Sequence, residues 1–136
     1  MTASHKISVA QDDPISVARS YYQAYIDKDR SALDRLIAED FHFTSPLDNR
    51  IDRHTYFARC WPNSENVADF KFIYLVQDEG RVFVTCEGIG RNGHVSRNTE
   101  ILTVRHGQLL DVEVYFGWSL PHEAKPGGYI NEATQS

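Results

Sequence analysis

The amino-acid sequence predicts an α+β fold in one domain, with helices in the first half and strands in the second. Apolar residues recur at helical spacing up to residue 60. From residue 67 to residue 118, apolar and polar residues alternate in four long stretches that short turns separate. The length of 136 residues is that of a single domain. This order favours a helical layer that covers one face of an antiparallel sheet.

Three helices are predicted in the first half of the chain. The first begins at Pro14, behind a capping aspartate, and carries apolar residues at helical spacing. The second is a short helix that Ser31 caps. The third begins after Asp52, and Pro62 ends it.

The predicted strands are bounded by turn residues. A short strand at 41–45 lies between the second and third helices, and residues 47–51 are predicted to form a loop after it. The pair Asn92–Gly93 is a strong signal for a β-hairpin. The four long strands are predicted at 67–76, 81–88, 95–105 and 108–118.

The charge balance and hydropathy argue against two kinds of partner. The chain has 14 basic and 19 acidic residues, a net charge of −5, and no basic stripe of the kind that binds nucleic acid. It has no apolar stretch near the roughly 20 residues of a membrane span, and no secretory signal at its start. We expect a cytoplasmic protein with no nucleic-acid or membrane partner. We expect the domain at 13–120, between a flexible N-terminus at 1–12 and a flexible tail at 121–136.

No metal or cofactor site is predicted. Cys60 and Cys86 match no metal-binding or redox spacing. The six histidines form no pair at the i, i+4 spacing of a helical metal site. The chain has no phosphate loop and no nucleotide fingerprint. We therefore expect any chemistry to use side chains alone, without a cofactor.

Three segments carry a resemblance to a known family. Ala18–Asp29 resembles the family's first helix, Leu36–Pro46 its second helix and first strand, and Tyr115–Gly117 the end of its last strand. Together with the order of elements, they make residues 14–118 resemble the nuclear transport factor 2-like superfamily and, within it, the SnoaL-like family.

The resemblance implies a cone-shaped fold, also called cystatin-like, in which three N-terminal helices pack on a strongly curved, mainly antiparallel sheet. One sheet face and the first helix enclose a pocket for a small molecule, and the convex face commonly forms a homodimer. Members include isomerases, cyclases, dehydratases, epoxide hydrolases and binding modules. The resemblance therefore implies a fold more strongly than an activity.

The ketosteroid isomerases of this superfamily suggest candidate catalytic residues. Their helix-one tyrosine corresponds to Tyr21, and their second acid corresponds to Glu100. Their general base corresponds to Ser45, and a serine cannot take a proton unaided at neutral pH. The nearest carboxylate is Asp48. We expect Glu100 or Asp48 to carry the acid–base step, with Tyr21 and Asn98 as hydrogen-bond donors to a developing oxyanion.

The same correspondence assigns a face to each strand residue, because neighbours in a strand point to opposite sides of the sheet. Beside the catalytic candidates, the residues expected to line the pocket are Tyr25, Phe43, Ser45, Tyr56, Trp61, Phe83, Thr85, Glu87, Leu102, Val112, Val114 and Phe116. The residues expected on the outer, dimer-forming face are Val84, Cys86, Thr99, Ile101, Thr103, Glu113 and Tyr115.

Two sets of polar residues in this predicted pocket have alternative interpretations. Glu87 and Glu100 could share one apolar site, where their pKa values would separate into an acid and a base. Alternatively, Glu87 lies in water at a strand end and Glu100 pairs with a cation. Tyr21, Tyr22 and Tyr25 either offer phenol hydroxyls to a ligand oxygen or pack in the core with those hydroxyls on backbone or water.

Two functions are therefore expected from the sequence. In the first, the protein binds a small hydrophobic oxygenated molecule, polyketide- or steroid-like, and catalyses isomerisation, cyclisation or dehydration by proton transfer. In the second, it is a non-catalytic dimeric module that binds a small ligand or a protein. The serine at the general-base position favours the second, and the inward-facing glutamate and asparagine favour the first.

Overall fold

A computed structural model of the protein describes residues 13–120. The predictions of a flexible N-terminus at 1–12 and a flexible tail at 121–136 lie outside the described residues. The described part contains the helices α1 (Pro14–Asp27), α2 (Arg30–Leu36) and α3 (Arg53–Arg59), and a 3₁₀ helix (Trp61–Asn66). None of these helices is long and apolar enough to cross a membrane. The cytoplasmic location stays a prediction.

Aspartates begin all three α-helices. Asp13 accepts a hydrogen bond from the backbone amide of Ser16, and Pro14 occupies the first turn, as the sequence predicts. The third helix begins after Asp52, again as predicted. The second is capped by Asp29, which accepts from the amide of Ala32 at 3.1 Å, so the prediction of Ser31 as its cap is wrong.

The strands form one six-stranded sheet. They are β1 (Ile37–Ser45), β2 (Asp48–Asp52), β3 (Val67–Asp78), β4 (Arg81–Gly90), β5 (Val95–Arg105) and β6 (Gln108–Leu120). Their order across the sheet is β2-β1-β6-β5-β4-β3. All neighbours are antiparallel except β1 and β6, which are parallel. The predicted α+β fold and its four long antiparallel strands are confirmed.

Residues 47–51 are not the loop that the sequence predicts. Most of them belong to β2, which pairs with β1 so that Phe43 lies opposite Ile51 and Ser45 opposite Asp48. The sequence of β2 is polar and shows no apolar alternation. Its strand conformation therefore depends on pairing with β1, which a local pattern does not reveal.

The core lies between α1 and one face of the sheet, which we call the inner face. Its centre is formed by buried residues of α1, β1, β4, β5 and β6. The aromatic side chains of α1, β1 and α3 contact one another edge to face, with ring centroids about 5 Å apart. The helix therefore covers the inner face and leaves the opposite, outer face uncovered by any described element.

The orientation of β4 corrects the sequence prediction. Val82, Val84 and Cys86 are buried on the inner face, whereas Phe83 is 37% exposed. Val84 lies opposite Glu100, and directly opposite residues of paired strands share a face.

The residues expected to point inward from β4 are therefore misplaced. Phe83, Thr85 and Glu87 lie on the outer face, and Val84 and Cys86, expected outside, lie inside. The cause is the register, in which Ile89 pairs with Val95 across the hairpin loop. A shift of one residue in the assumed pairing reverses the face of every side chain in the strand.

Candidate functional site

A cavity of about 270 Å³ lies between α1, the end of β1, the 3₁₀ helix and the inner face of β3, β5 and β6. We call it the tyrosine cavity, because three tyrosines of α1 line it. Its residues are Tyr21, Tyr22, Tyr25, Phe43, Ser45, Leu47, Asp48, Cys60, Asn63, Val67, Phe70, Asn98, Glu100, Val114 and Phe116. Its volume is close to the lower end of the range for small-molecule sites.

Glu100 brings a carboxyl into the apolar interior beside this cavity. The residue is 8% exposed, and its Oε1 accepts a hydrogen bond from the hydroxyl of Tyr22 at 2.7 Å. Burial raises the pKa of Glu100 above its ordinary value of 4.5, and hydrogen bonds from Tyr22 and Asn98 oppose part of that rise. The carboxyl therefore holds its proton to a higher pH than an exposed glutamate does.

Three tyrosine hydroxyls form a second polar group at the cavity. The hydroxyl of Tyr56 lies 3.0 Å from that of Tyr21 and is also hydrogen bonded to that of Tyr25. Two hydrogen bonds use two of the three phenol protons. When Tyr56 donates one of these bonds, the third proton belongs to Tyr21 or Tyr25 and is available outside the group. Tyr21 and Tyr25 line the cavity, whereas Tyr56 is fully buried behind them.

Burial also keeps these phenols protonated. It raises the pKa values of Tyr21, Tyr25 and Tyr56 above the ordinary value of 10.0. A protonated phenol is a hydrogen-bond donor, so the group can donate to an oxygen atom of a ligand in the cavity.

Asp48 brings a second carboxyl to the cavity, from the start of β2. The hydroxyl of Ser45 donates to Oδ2 of Asp48 at 3.0 Å, and Arg59 forms an ion pair with Oδ1 at 2.9 Å. The side chain of Asp48 is 9% exposed and that of Arg59 is 56% exposed. Asp48 therefore lines the cavity with its carboxylate bound by Ser45 and Arg59. Its neighbour Leu47 also lines the cavity and is 74% exposed.

Cys60 also lines the cavity, but it is not a nucleophile at neutral pH. Burial, with a smaller contribution from the nearby carboxylate of Asp48, raises its pKa to about 11. The thiol therefore stays protonated and serves as part of the apolar wall.

The structure places most of the predicted site residues around the tyrosine cavity. All four catalytic candidates line it, as do Tyr25, Phe43, Ser45, Val114 and Phe116. Trp61 packs against Tyr25 with ring centroids 5.0 Å apart and is not in the cavity wall. Three residues expected in the wall are instead fully buried core residues, namely Tyr56, Leu102 and Val112.

Glu87 does not share a site with Glu100. It lies on the outer face, where its carboxylate pairs with Arg97 at 2.7 Å. Arg97 in turn lies over the ring of Trp118, 5.0 Å from its centroid. The interpretation of Glu87 and Glu100 as two acids facing one pocket is therefore wrong.

Several cavity residues were not identified from the sequence. They are Leu47, Cys60, Asn63, Val67 and Phe70. Asn63 follows Pro62, in a stretch for which the sequence predicts no element, and belongs to the 3₁₀ helix. Val67 begins β3 directly after that helix. Phe70 lies between two register shifts of β3, which local alternation does not reveal.

The described residues contain no group of three His, Cys, Asp or Glu side chains placed to hold a metal ion. The polar groups that converge on the cavity are two carboxyls, the tyrosine hydroxyls, two asparagine amides and a serine hydroxyl.

No protein-family model matches the sequence, and no curated protein sequence matches it. Solved structures do match the fold. An NTF2-like protein of unknown function from Burkholderia xenovorans is 18% identical, with a TM-score of 0.68, over 90% of this chain and 98% of that one. A Kribbella flavida protein described provisionally as a ketosteroid isomerase is 15% identical, with a TM-score of 0.66, over 88% of each chain.

A third similar structure is IdmH from Streptomyces antibioticus, described provisionally as a polyketide cyclase. It is 19% identical, with a TM-score of 0.62, over 75% of this chain and 90% of that one. The chain therefore has the nuclear transport factor 2-like fold, as its resemblance to that superfamily predicts. At these identities the likeness defines the fold and leaves the activity open.

Proposed function

We propose that this protein binds a small hydrophobic oxygenated molecule in the tyrosine cavity and catalyses proton transfer at a carbon next to a carbonyl group. The reaction would be an isomerisation, an aldol-type cyclisation or a dehydration, without a cofactor. The observation that carries the proposal is Glu100, a buried carboxyl with a raised pKa at the wall of an aromatic cavity. Perturbed acids in clefts are typical of catalytic sites.

The proposed reaction needs a group that stabilises negative charge on the carbonyl oxygen. The free phenol proton of the group formed by Tyr21, Tyr25 and Tyr56 supplies one donor. The protonated carboxyl of Glu100 and the amide of Asn98, on the adjacent wall, supply two more. Donors already fixed in an apolar site stabilise an enolate more than water does.

The proposed reaction also needs a base. Asp48 is the second carboxyl of the cavity wall, and in this proposal its carboxylate removes the proton from carbon. That proton returns to another carbon or assists the departure of water, so the protein is unchanged at the end of the cycle. The names of two similar structures, a ketosteroid isomerase and a polyketide cyclase, belong to the same class of chemistry.

Deuterium exchange into 2-tetralone tests this proposal. The ketone is incubated with the protein in D₂O, and loss of the α-proton signal is followed by NMR against a protein-free sample. Wild type should accelerate exchange. Asp48→Asn, which removes the base, and Glu100→Leu, which removes the donor, should each lower the rate by roughly 100-fold or more. Glu87→Gln is the matched control, because Glu87 lies on the outer face. Equal rates in wild type and both cavity variants would refute the assignments.

The second candidate function is a non-catalytic binding module. The observation that favours it is the engagement of Asp48 by Ser45 and Arg59, which occupies the one base candidate near Pro46. If this function is correct, 2-tetralone will raise the melting temperature of wild type but will not exchange faster than in buffer.

We also propose that the partner of this chain is a second copy of itself. The outer face carries an apolar patch formed by Tyr74, Val76, Phe83, Ile101 and Tyr115, which we call the outer patch, and Glu113 lies at its edge, opposite Ile101. A monomer seldom exposes such a contiguous apolar surface. In a two-fold dimer the same patch meets itself, so that its apolar side chains are removed from water.

A further inference from the structure

A second cavity, of about 550 Å³, lies directly beside the tyrosine cavity. Five residues line both cavities: Asn63, Val67, Phe70, Asn98 and Glu100. The second cavity continues from this shared wall to the hairpin loop between β4 and β5. We call it the polar annex. The two cavities therefore adjoin at these five residues, and Glu100 lies at the place where they meet.

The wall of the annex is polar but almost without charge. Beyond the shared residues it contains Asn66, Asn92, His94 and Ser96. Among the described lining residues, Glu100 alone carries a carboxyl group, and none carries an ammonium or guanidinium group. Carboxamides and hydroxyls each donate and accept hydrogen bonds. Such a wall is complementary to neutral hydroxyl groups and offers no counter-ion to an anion.

One of these amides already has a fixed orientation. Oδ1 of Asn92 accepts a hydrogen bond from the backbone amide of His94 at 2.9 Å. Its amino group is therefore the part that can donate to a ligand. Asn63, Asn66, Asn92 and His94 are exposed, whereas Ser96 and Asn98 are half-buried. The annex is thus open at its rim and enclosed at its junction with the tyrosine cavity.

Glycine provides the space of the annex. Gly88 and Gly90 lie on the inner face of β4, in line with the buried Val84 and Cys86. A Cβ atom at Gly88 would lie 3.7 Å from a ring carbon of Phe70 and 3.9 Å from Oγ of Ser96, which are ordinary contacts. A larger side chain at this position therefore occupies the annex without a backbone clash.

We infer that the ligand of this protein has two parts, an apolar ring system in the tyrosine cavity and a neutral polyhydroxylated group, such as a sugar, in the polar annex. The inference rests on the proposed binding in the tyrosine cavity and specifies its ligand class. The aromatic edge of Phe70 belongs to both cavities and separates the two parts of the ligand. The asparagine amides at the open rim of the annex can bind a sugar whose outer hydroxyls remain hydrated.

Calorimetric titration with matched probes tests the inference. The probes are 2-naphthol, 2-naphthyl β-D-glucopyranoside and 2-naphthyl sulfate. Wild type should bind the glucoside about tenfold more tightly than naphthol, since a few added hydrogen bonds supply that much affinity. The sulfate should bind no more tightly than naphthol. In Gly88→Val the advantage of the glucoside should disappear while the affinity for naphthol is unchanged.

A second variant controls for the possibility that Gly88→Val does not fold. The double substitution Asn66→Ala with Ser96→Ala removes annex hydrogen bonds without filling the cavity, and it should also reduce the advantage of the glucoside. A glucoside that binds no more tightly than naphthol, an advantage that survives both variants, or a sulfate that binds best would each overturn the inference. If naphthol does not bind but the glucoside binds to wild type and not to Gly88→Val, the result supports the polar annex as a sugar site and contradicts the proposed function of the tyrosine cavity.

Discussion

The hydroxyl of Tyr22 on α1 donates a 2.7 Å hydrogen bond to Oε1 of Glu100 on β5, and both side chains are buried. This contact joins the helix to the centre of the sheet through the wall of the tyrosine cavity. A carboxyl buried without a partner is strongly unfavourable. The phenol of Tyr22 therefore stabilises Glu100 in a position where its protonation state can affect both stability and ligand binding.

Removal of this hydrogen bond should destabilise the fold. Tyr22→Phe keeps the ring and its edge contacts with Phe70 and Phe72 but leaves Glu100 without its phenol donor. We expect the free energy of unfolding to fall by roughly 1–3 kcal/mol, as for a buried polar group that loses its partner. Urea denaturation at neutral pH measures the change.

Tyr115→Phe is the matched control for this experiment. It also removes a phenol that donates to a glutamate, Glu113 at 3.0 Å, but on the outer face. Both variants are compared in the Phe83→Lys background, in which the outer patch is expected to stay exposed. Water replaces such a bond at little cost, so the loss should be no more than about 0.5 kcal/mol. Equal losses in the two variants would show that burial does not strengthen the Tyr22–Glu100 contact.

The protonation of Glu100 should make stability depend on pH. Its folded-state pKa is raised above 4.5, so above that pH the folded state binds more protons than the unfolded state. The contribution of Glu100 to the free energy of unfolding should therefore fall as the pH rises from about 4.5 through its folded-state pKa, and this contribution should not change further beyond it.

Glu100→Gln removes this titration and keeps an oxygen that accepts from Tyr22. Relative to wild type, the variant should become more stable as the pH rises from about 4.5 through the folded-state pKa of Glu100. Denaturant unfolding of both proteins across this range gives a difference curve in which all other titrating groups cancel. A flat difference curve would mean that the pKa of Glu100 is the same in the folded and unfolded states.

Two glycines of the sheet should respond differently to alanine. A Cβ atom at Gly117 would lie 2.3 Å from the backbone oxygen of Arg97, opposite a register shift of β5, so the backbone must move. At Gly88 the nearest atom lies 3.7 Å away. We expect Gly117→Ala to cost roughly 1–3 kcal/mol and Gly88→Ala to cost less than about 0.5 kcal/mol in urea denaturation. Similar costs would contradict the close approach of β6 to β5.

The outer patch should control the oligomeric state. Phe83→Lys places a charge at its centre, and we expect the mass measured by light scattering to fall from that of a dimer to that of a monomer. Leu47→Lys is the matched control, since Leu47 is also an exposed apolar residue but lies at the opening of the tyrosine cavity. A wild-type monomer, or a dimer that survives Phe83→Lys, would refute the proposed interface.

Short sequence patterns were sufficient to predict the helices, turns and strands that interactions between neighbouring residues form. The aspartate and Pro14 that begin α1, the turn at Asn92–Gly93 and the four long alternating stretches all act within a few residues of one another. The order of these elements also predicted the α+β fold. Tyr21 and Glu100 were found because they occupy positions that correspond to known residues of a resembling family.

Only the tertiary structure decided what depends on pairing between distant segments. The polar strand β2 exists because its backbone pairs with β1, and the face of every residue in β4 depends on the register in which Val84 lies opposite Glu100. That register separates Glu87 from Glu100 and puts Cys86 inside. Alternation along a strand says which residues share a face, but not which face is covered, because the covering helix is distant in sequence.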